Sequence, residues 1–214
     1  MTGLTHRAVR VTGITLQSES DPYARLVHRW TWAVIECSWG AWLVLWLVLA
    51  FFTKRTIYRP GGAWGFASGF AAGALFLVLR VISGRSWPDR LALTAPALQA
   101  IAVALVVAGL GFCAWARLTL GTNWSGAVVL KDDHELIQSG PYALVRHPIY
   151  SGMLAMVAGT ALDYPAVFSF SALGAIFVVF FVRSGREERL MAEHFPDQYP
   201  AYRARTKALI PFVL

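Results

Sequence analysis

Long apolar runs broken by short charged stretches constrain this chain more than any other feature. A bilayer span needs about 20 apolar residues, and runs of that order cover 30–52, 64–82 and 96–117. Two shorter runs follow, 149–162 and 165–182, divided only by Asp163-Tyr164-Pro165. They read as a tight helical hairpin whose first arm is short for a full span. The expected fold is an all-α polytopic membrane protein. It has about five transmembrane helices and a polar helical segment after the last of them.

Composition supports that reading. Hydrophobic residues make up 57% of the 214 and charged residues 14%, against about 25% charged in a soluble domain. With 13 Phe, 9 Trp and 7 Tyr the chain is too apolar to be disordered. Two cysteines, Cys37 and Cys113, both inside apolar runs, exclude a disulfide scaffold and read as inert filler. A membrane barrel would show short alternating segments instead of unbroken runs.

The net charge of +7 is explained by Lys and Arg placed between spans, so no nucleic-acid partner is expected. The turn near Asp163 carries no Lys or Arg, whereas Arg183, Arg186, Arg189, Arg203, Arg205 and Lys207 follow the last run. The positive-inside rule then puts the 119–148 stretch and the C-terminal segment in the cytoplasm. Residues 1–29 form a polar N-terminal tail without a cleavable signal, and 30–214 a single membrane-embedded domain. Trp30, Trp32, Trp64, Trp87 and Trp115 lie near run ends, as interfacial anchors do. Glu36, early in the first run, either snorkels, pairs with Arg29 or has a function.

The remaining chemistry gathers in two segments that the hairpin brings together. The first is residues 134–152. Its Gly140-Pro141 marks a turn, and Pro148 suits the first position of a helix. Arg146 and His147 then stand at a helix N-terminus, where free N–H groups and the dipole favour an anion. Tyr150 lies one turn on, facing the same side. The second segment is 183–190; if helical, it pairs Arg183 with Glu187 and Ser184 with Glu188. No dinucleotide fingerprint, P-loop, nucleophile elbow or metal-ligand spacing occurs, and no metal site is expected.

These residues resemble the isoprenylcysteine carboxyl methyltransferase family. The family's first signature is matched by His134, Leu136, Gly140, Tyr142, Arg146, His147, Pro148, Tyr150 and Gly152 at its spacing. Its second is matched by Glu187, Glu188, Tyr199, Tyr202 and Pro211. The likeness covers about residues 115–214, including Asn123-Trp124-Ser125; earlier residues match in hydropathy only. Phospholipid N-methyltransferases and methanethiol methyltransferase-like proteins share weaker forms of both motifs.

The resemblance implies an integral-membrane enzyme that uses S-adenosylmethionine without a Rossmann domain. Its cofactor would lie on the cytosolic side, bound by His134, Leu136, Gly140, Tyr142, His147, Tyr150, Glu187 and Glu188. Arg146, Glu188 and Arg205, or Arg203 in place of Arg205, would act on the reacting groups. The acceptor would be a lipophilic or lipidated molecule within the membrane, with no obligate protein partner. Alternatives are a phospholipid N- or thiol S-methyltransferase, a sterol-type reductase using NADPH, and a transporter or scaffold. If the chain is bacterial, the membrane is the inner one.

Overall fold

A computed structural model describes residues 22–52, 56–58, 96–123, 130–131 and 136–213. The described residues form five α-helices: α1 (Pro22–Ala50), α2 (Pro96–Leu120), α3 (Pro148–Asp163), α4 (Val167–His194) and α5 (Tyr199–Arg205). A short antiparallel ladder pairs Thr56–Tyr58 with Leu130–Lys131, a small departure from an all-helical chain. The expected run 64–82, with Trp64, and also Trp87, lie outside the described residues.

Among the described residues, three helices are long and apolar enough to cross a membrane: Leu26–Ala50, Pro96–Leu120 and Val167–His194. Each satisfies its own backbone, as a lipid-embedded segment must. The fourth expected run forms α3, which has only 16 residues. At 1.5 Å per residue it reaches about 24 Å, short of a hydrocarbon core of about 30 Å. Helix α1 starts at Pro22, so it takes in the end of the segment expected as a tail. Helix α4 runs unbroken from the apolar 167–182 through the charged 183–190, ending at His194. The charged segment therefore extends from a membrane helix and inherits its rigidity.

Helix α3 packs on α2 with almost no space between the backbones. A Cβ at Gly152 would meet Cys113 Sγ at 2.6 Å and the Gly109 carbonyl oxygen at 2.7 Å. A Cβ at Gly159 would meet the Ala102 carbonyl oxygen at 2.5 Å. Small residues permit this approach where the lipid supplies no hydrophobic driving force between helices. Cys113, fully buried, donates its thiol hydrogen to the Ile149 carbonyl at 3.3 Å. Cys37 is exposed instead.

Helix α1 closes the other side with Trp39, Trp42 and Trp46, whose spacing lays one aromatic row along the helix. Trp42 stacks on Trp46 at 4.8 Å, and Trp39 donates its indole N–H to Thr160 Oγ1 on α3 at 3.1 Å. The row shares a core with Ile35, Val106, Cys113, Met156 and Val157. Arg117 is buried at the end of α2, giving its guanidinium hydrogens to the Gly121 and Leu49 carbonyls. One cation thus caps the C-terminal ends of α2 and α1 together. Trp30, Trp32 and Trp115 stand exposed, as interfacial anchors would.

Candidate functional site

The site begins where the chain enters α3. Pro148 occupies the first helical turn and His147 is the N-cap residue, without a side-chain cap. The mouth of this helix is expected from sequence to attract an anion. The structure runs the chain's own backbone across it and sets two carboxylates against it. Val145 bridges Lys207 in parallel, Arg146 N–H donates to the Lys207 carbonyl at 2.8 Å, and His147 N–H donates to the Ala208 carbonyl at 3.0 Å. Ser151, one turn inside, gives its hydroxyl to the Leu209 carbonyl. Residues 206–209 therefore form a strap across the mouth, and their carbonyl oxygens take the N–H groups of Arg146 and His147.

The same turn aims its side chains at α4. Arg146 donates through Nε and Nη2 to Glu188 Oε1 at 2.9 and 2.8 Å. Its Nη1 reaches the carbonyls of Thr206 and, at 3.2 Å, of Arg203. His147 lies between the two carboxylates, with Nε2 3.4 Å from Glu188 Oε1 and Nδ1 3.4 Å from Glu187 Oε2. Tyr150 donates its hydroxyl to Glu187 Oε1 at 2.5 Å, and Arg183 donates Nε to the same oxygen at 3.1 Å. Arg203 approaches Glu188 Oε2 at 3.4 Å from a side chain that is 64% exposed. Buried charges persist when paired in this way.

Sequence spacing correctly joins Arg183 to Glu187 but not Ser184 to Glu188. Ser184 turns its hydroxyl back to the Phe181 carbonyl at 2.9 Å, the usual local bond of a helical serine. Leu136 is half-buried, and Gly140 takes φ +59, which suits a residue without Cβ. At that place a Cβ would press on Thr119 and Trp115 of α2. Tyr142 is buried, and its carbonyl accepts the Tyr202 hydroxyl at 2.7 Å, tying the 140–143 turn to α5. Arg205 donates to Gln138 and lies over the Tyr202 ring, at 5.8 Å from its centroid. His134 lies outside the described residues, as do Trp124, Ser125 and the side chain of Asn123.

The sequence gives no hint of Thr206, whose carbonyl holds Arg146 and whose hydroxyl is donated to the Tyr202 carbonyl at 2.7 Å. Phe180 is likewise unforeseen. It stacks on Tyr150 at 4.7 Å, and His147 stacks on the same tyrosine at 5.6 Å. Aromatic residues are common everywhere in this chain, so Phe180 carries no local signal, and Thr206 acts partly through a main-chain carbonyl, which any residue has.

Burial pushes the hydroxyls of Tyr142 and Tyr199 up, and that of Tyr202 up to about 12. These tyrosines stay protonated near neutral pH and serve as hydrogen-bond donors. Burial alone would lower the His147 pKa, but hydrogen bonds and charge attraction from Glu187 and Glu188 outweigh it and hold the pKa above the ordinary 6.5. Both ring nitrogens face groups that only accept, so the imidazolium form fits. A folded-state pKa raised in this way gives stability that is full below 6.5 and is lost as pH rises through the raised value. Thermal unfolding in detergent is expected to show a midpoint that falls as pH climbs above 6.5. A His147→Gln variant should show a flatter profile over the same range. Parallel profiles for the two proteins would remove His147 as the cause.

Comparison with known proteins places this geometry. Residues 102–193 match the model of the isoprenylcysteine carboxyl methyltransferase family. A protein-S-isoprenylcysteine O-methyltransferase B of Arabidopsis thaliana is 31% identical over 46% of this chain and 51% of its own length. A cobalt-zinc-cadmium resistance protein, CzcN, of Cupriavidus metallidurans is 29% identical over 48% of each. The chain spans about half the length of these curated relatives. A solved eukaryotic intramembrane Ras methyltransferase, itself an isoprenylcysteine carboxyl methyltransferase, shares the fold. Its TM-score is 0.58 and its identity 19%, over 91% of this chain and 70% of that one. The likeness to an intramembrane fold and the three long apolar helices agree on an integral membrane protein. The matched segment carries α3 and most of α2 and α4, with Arg146, His147, Tyr150, Glu187 and Glu188 on or beside them, and over this segment the chain is similar to the isoprenylcysteine carboxyl methyltransferase family.

Proposed function

We propose that this protein is an integral-membrane methyltransferase that uses S-adenosylmethionine to methylate a lipophilic acceptor, resembling an isoprenylcysteine carboxylate, at the cytosolic face. One observation carries the reading. The two motif halves meet as a single buried cluster, Arg146, His147 and Tyr150 against Glu187 and Glu188. The family match and the named relatives support the reaction class, and the basic segments flanking α3 and α4 support the cytosolic orientation.

The donor set fits the cofactor. Its amino-acid end is a zwitterion, which needs an anion and a cation side by side. Glu188 Oε2 and Arg203 Nε are 3.4 Å apart, and the Arg203 side chain is largely in solvent. An exposed ion pair is worth about 1 kcal/mol or less, so opening it to a zwitterion costs little. Glu188 would take the ammonium and Arg203 the carboxylate. Leu136 and the 140–143 turn would border the remainder.

When bound, S-adenosylmethionine supplies a methyl group activated by its sulfonium. The chain's own part is to bind, align and exclude water. A carboxylate acceptor needs no base, only alignment and partial desolvation. Arg146 is already largely committed to Glu188 and the strap, so the more exposed Arg203 is better placed than Arg146 to orient such an acceptor. A thiol or amine acceptor needs a proton acceptor, and Glu187 or Glu188 would serve.

Calorimetric titration of the detergent-purified protein tests this. S-adenosylmethionine and S-adenosylhomocysteine are expected to bind, with affinity at least tenfold weaker in a Glu188→Gln variant, and NADPH not to bind. Binding of NADPH alone would favour a sterol-type reductase. Binding of none would leave the family likeness a matter of fold.

A further inference from the structure

The strap that closes the helix mouth continues into a turn whose exposure the site does not explain. Residues 210–213 read Ile-Pro-Phe-Val, closed by Val213 N–H donating to the Ile210 carbonyl at 3.1 Å. Proline in the second place and positive φ in the third is the type II pattern, and the third place favours glycine. Here it holds Phe212, at φ 65. The residue so strained is also among the most exposed, at 90%, beside Val213 at 72% and Ile210 at 44%. In water, an apolar tip on a strained turn has nothing to recommend it.

The height of the turn identifies its surroundings. Leu209, just before it, is buried and accepts the hydroxyl of Ser151 in the first turn of α3. Tyr150, the neighbouring residue, stacks on Phe180 of α4. Phe181 and Val182 follow with side chains about half exposed, and the charged part of α4 starts at Arg183. The turn therefore stands level with the last apolar residues on the outside of α4, where a bilayer core gives way to headgroups. Exposed cations lie on the headgroup side of that boundary: Lys207 on the strap, and Arg186 and Arg189 on α4. Apolar side chains at this height with basic ones above them match an anionic lipid surface.

We infer that the 210–213 turn is a membrane wedge. It seats Phe212 and Val213 among the acyl chains while the neighbouring Arg and Lys side chains hold anionic headgroups, so that lipid keeps the strap pressed on the α3 mouth. This goes beyond the methyltransferase reading and stands without it.

The test labels one cysteine with an environment-sensitive fluorophore, NBD, in protein reconstituted into vesicles. Phe212→Cys is made in a Cys37→Ser background, Cys113 being buried. Pro196→Cys, on the exposed turn after α4, is the aqueous control. In phosphatidylcholine vesicles with phosphatidylglycerol, the label at 212 is expected to be blue-shifted. It should be quenched by lipids spin-labelled near the headgroup and shielded from iodide, with the opposite at 196. Lipid quenching at 212 should strengthen as the phosphatidylglycerol share rises. Iodide quenching at 212 without lipid quenching would overturn the wedge. A blue-shifted label that no lipid quenches would also overturn it, since the turn would then be covered by protein. None of these readouts depends on methyl transfer, so failure here leaves the proposed function standing, and the reverse.

Discussion

A Glu188→Gln variant is expected to lose methyl transfer by at least a hundredfold and to unfold about 2 kcal/mol more easily. Glu188 is the carboxylate on which most of the site converges. It takes two donors of Arg146, faces His147 and approaches Arg203. Glutamine keeps the shape and one acceptor oxygen but removes the charge. That leaves the Arg146 guanidinium and the His147 imidazolium in a buried place with one anion, Glu187, where there were two. Removing one partner of a buried pair typically costs about 3–5 kcal/mol. The cost falls below that range here because Arg146 keeps the carbonyls of Arg203 and Thr206. The rate effect exceeds the stability effect because the strap is held by the same guanidinium, and a shift of about 1 Å in a positioning group can cost about a hundredfold. For stability Arg203→Ala is the contrast, because its side chain is 64% exposed and such a pair is worth about 1 kcal/mol or less. Thermal unfolding of both variants, alongside methyl transfer to a farnesylcysteine analogue, decides the matter. Wild-type stability in Glu188→Gln would show that the convergence is geometric only.

Much of this site is legible in the sequence because its parts carry charge. Arg146 and Glu188 are 42 residues apart, and the short turn at Asp163-Tyr164-Pro165 is enough to bring them together. The Arg183–Glu187 pair follows from helical spacing alone. The strap across the α3 mouth is hidden for a different reason. It is held by the carbonyls of Lys207 and Ala208, and a main-chain carbonyl has no residue type to betray it. The unbroken run of α4 into 183–194 is equally hidden, because hydropathy marks where a span ends but not where a helix does. Five spans were expected from apolar length. The fourth forms a helix too short to cross, since it starts inside the charge cluster, level with Phe180.

The largest effect on folding is expected from one methyl group at Gly152. Gly152→Ala should cost about 3 kcal/mol, and Gly152→Leu should yield no folded protein. An alanine Cβ would stand 2.6 Å from Cys113 Sγ, 2.7 Å from the Gly109 carbonyl oxygen and 3.0 Å from Cys113 N. Two of these are backbone atoms of α2, so relief requires the helices to separate. Overpacking typically costs about 1–3 kcal/mol even where side chains can move, which puts a backbone clash at the upper end. Separation would also lift the first turn of α3, with Tyr150 and Ser151, away from Phe180 and the strap, so site and fold fail together. Gly40 and Gly174 supply the opposite case. Nothing lies within 4 Å of a Cβ at either, and both sit inside helices, where alanine is favoured over glycine by about 1 kcal/mol. Gly40→Ala and Gly174→Ala should therefore match or exceed the wild-type unfolding temperature in the same detergent. A Gly152→Ala protein as stable as those two would mean that α2 and α3 are not packed as closely as their glycines allow.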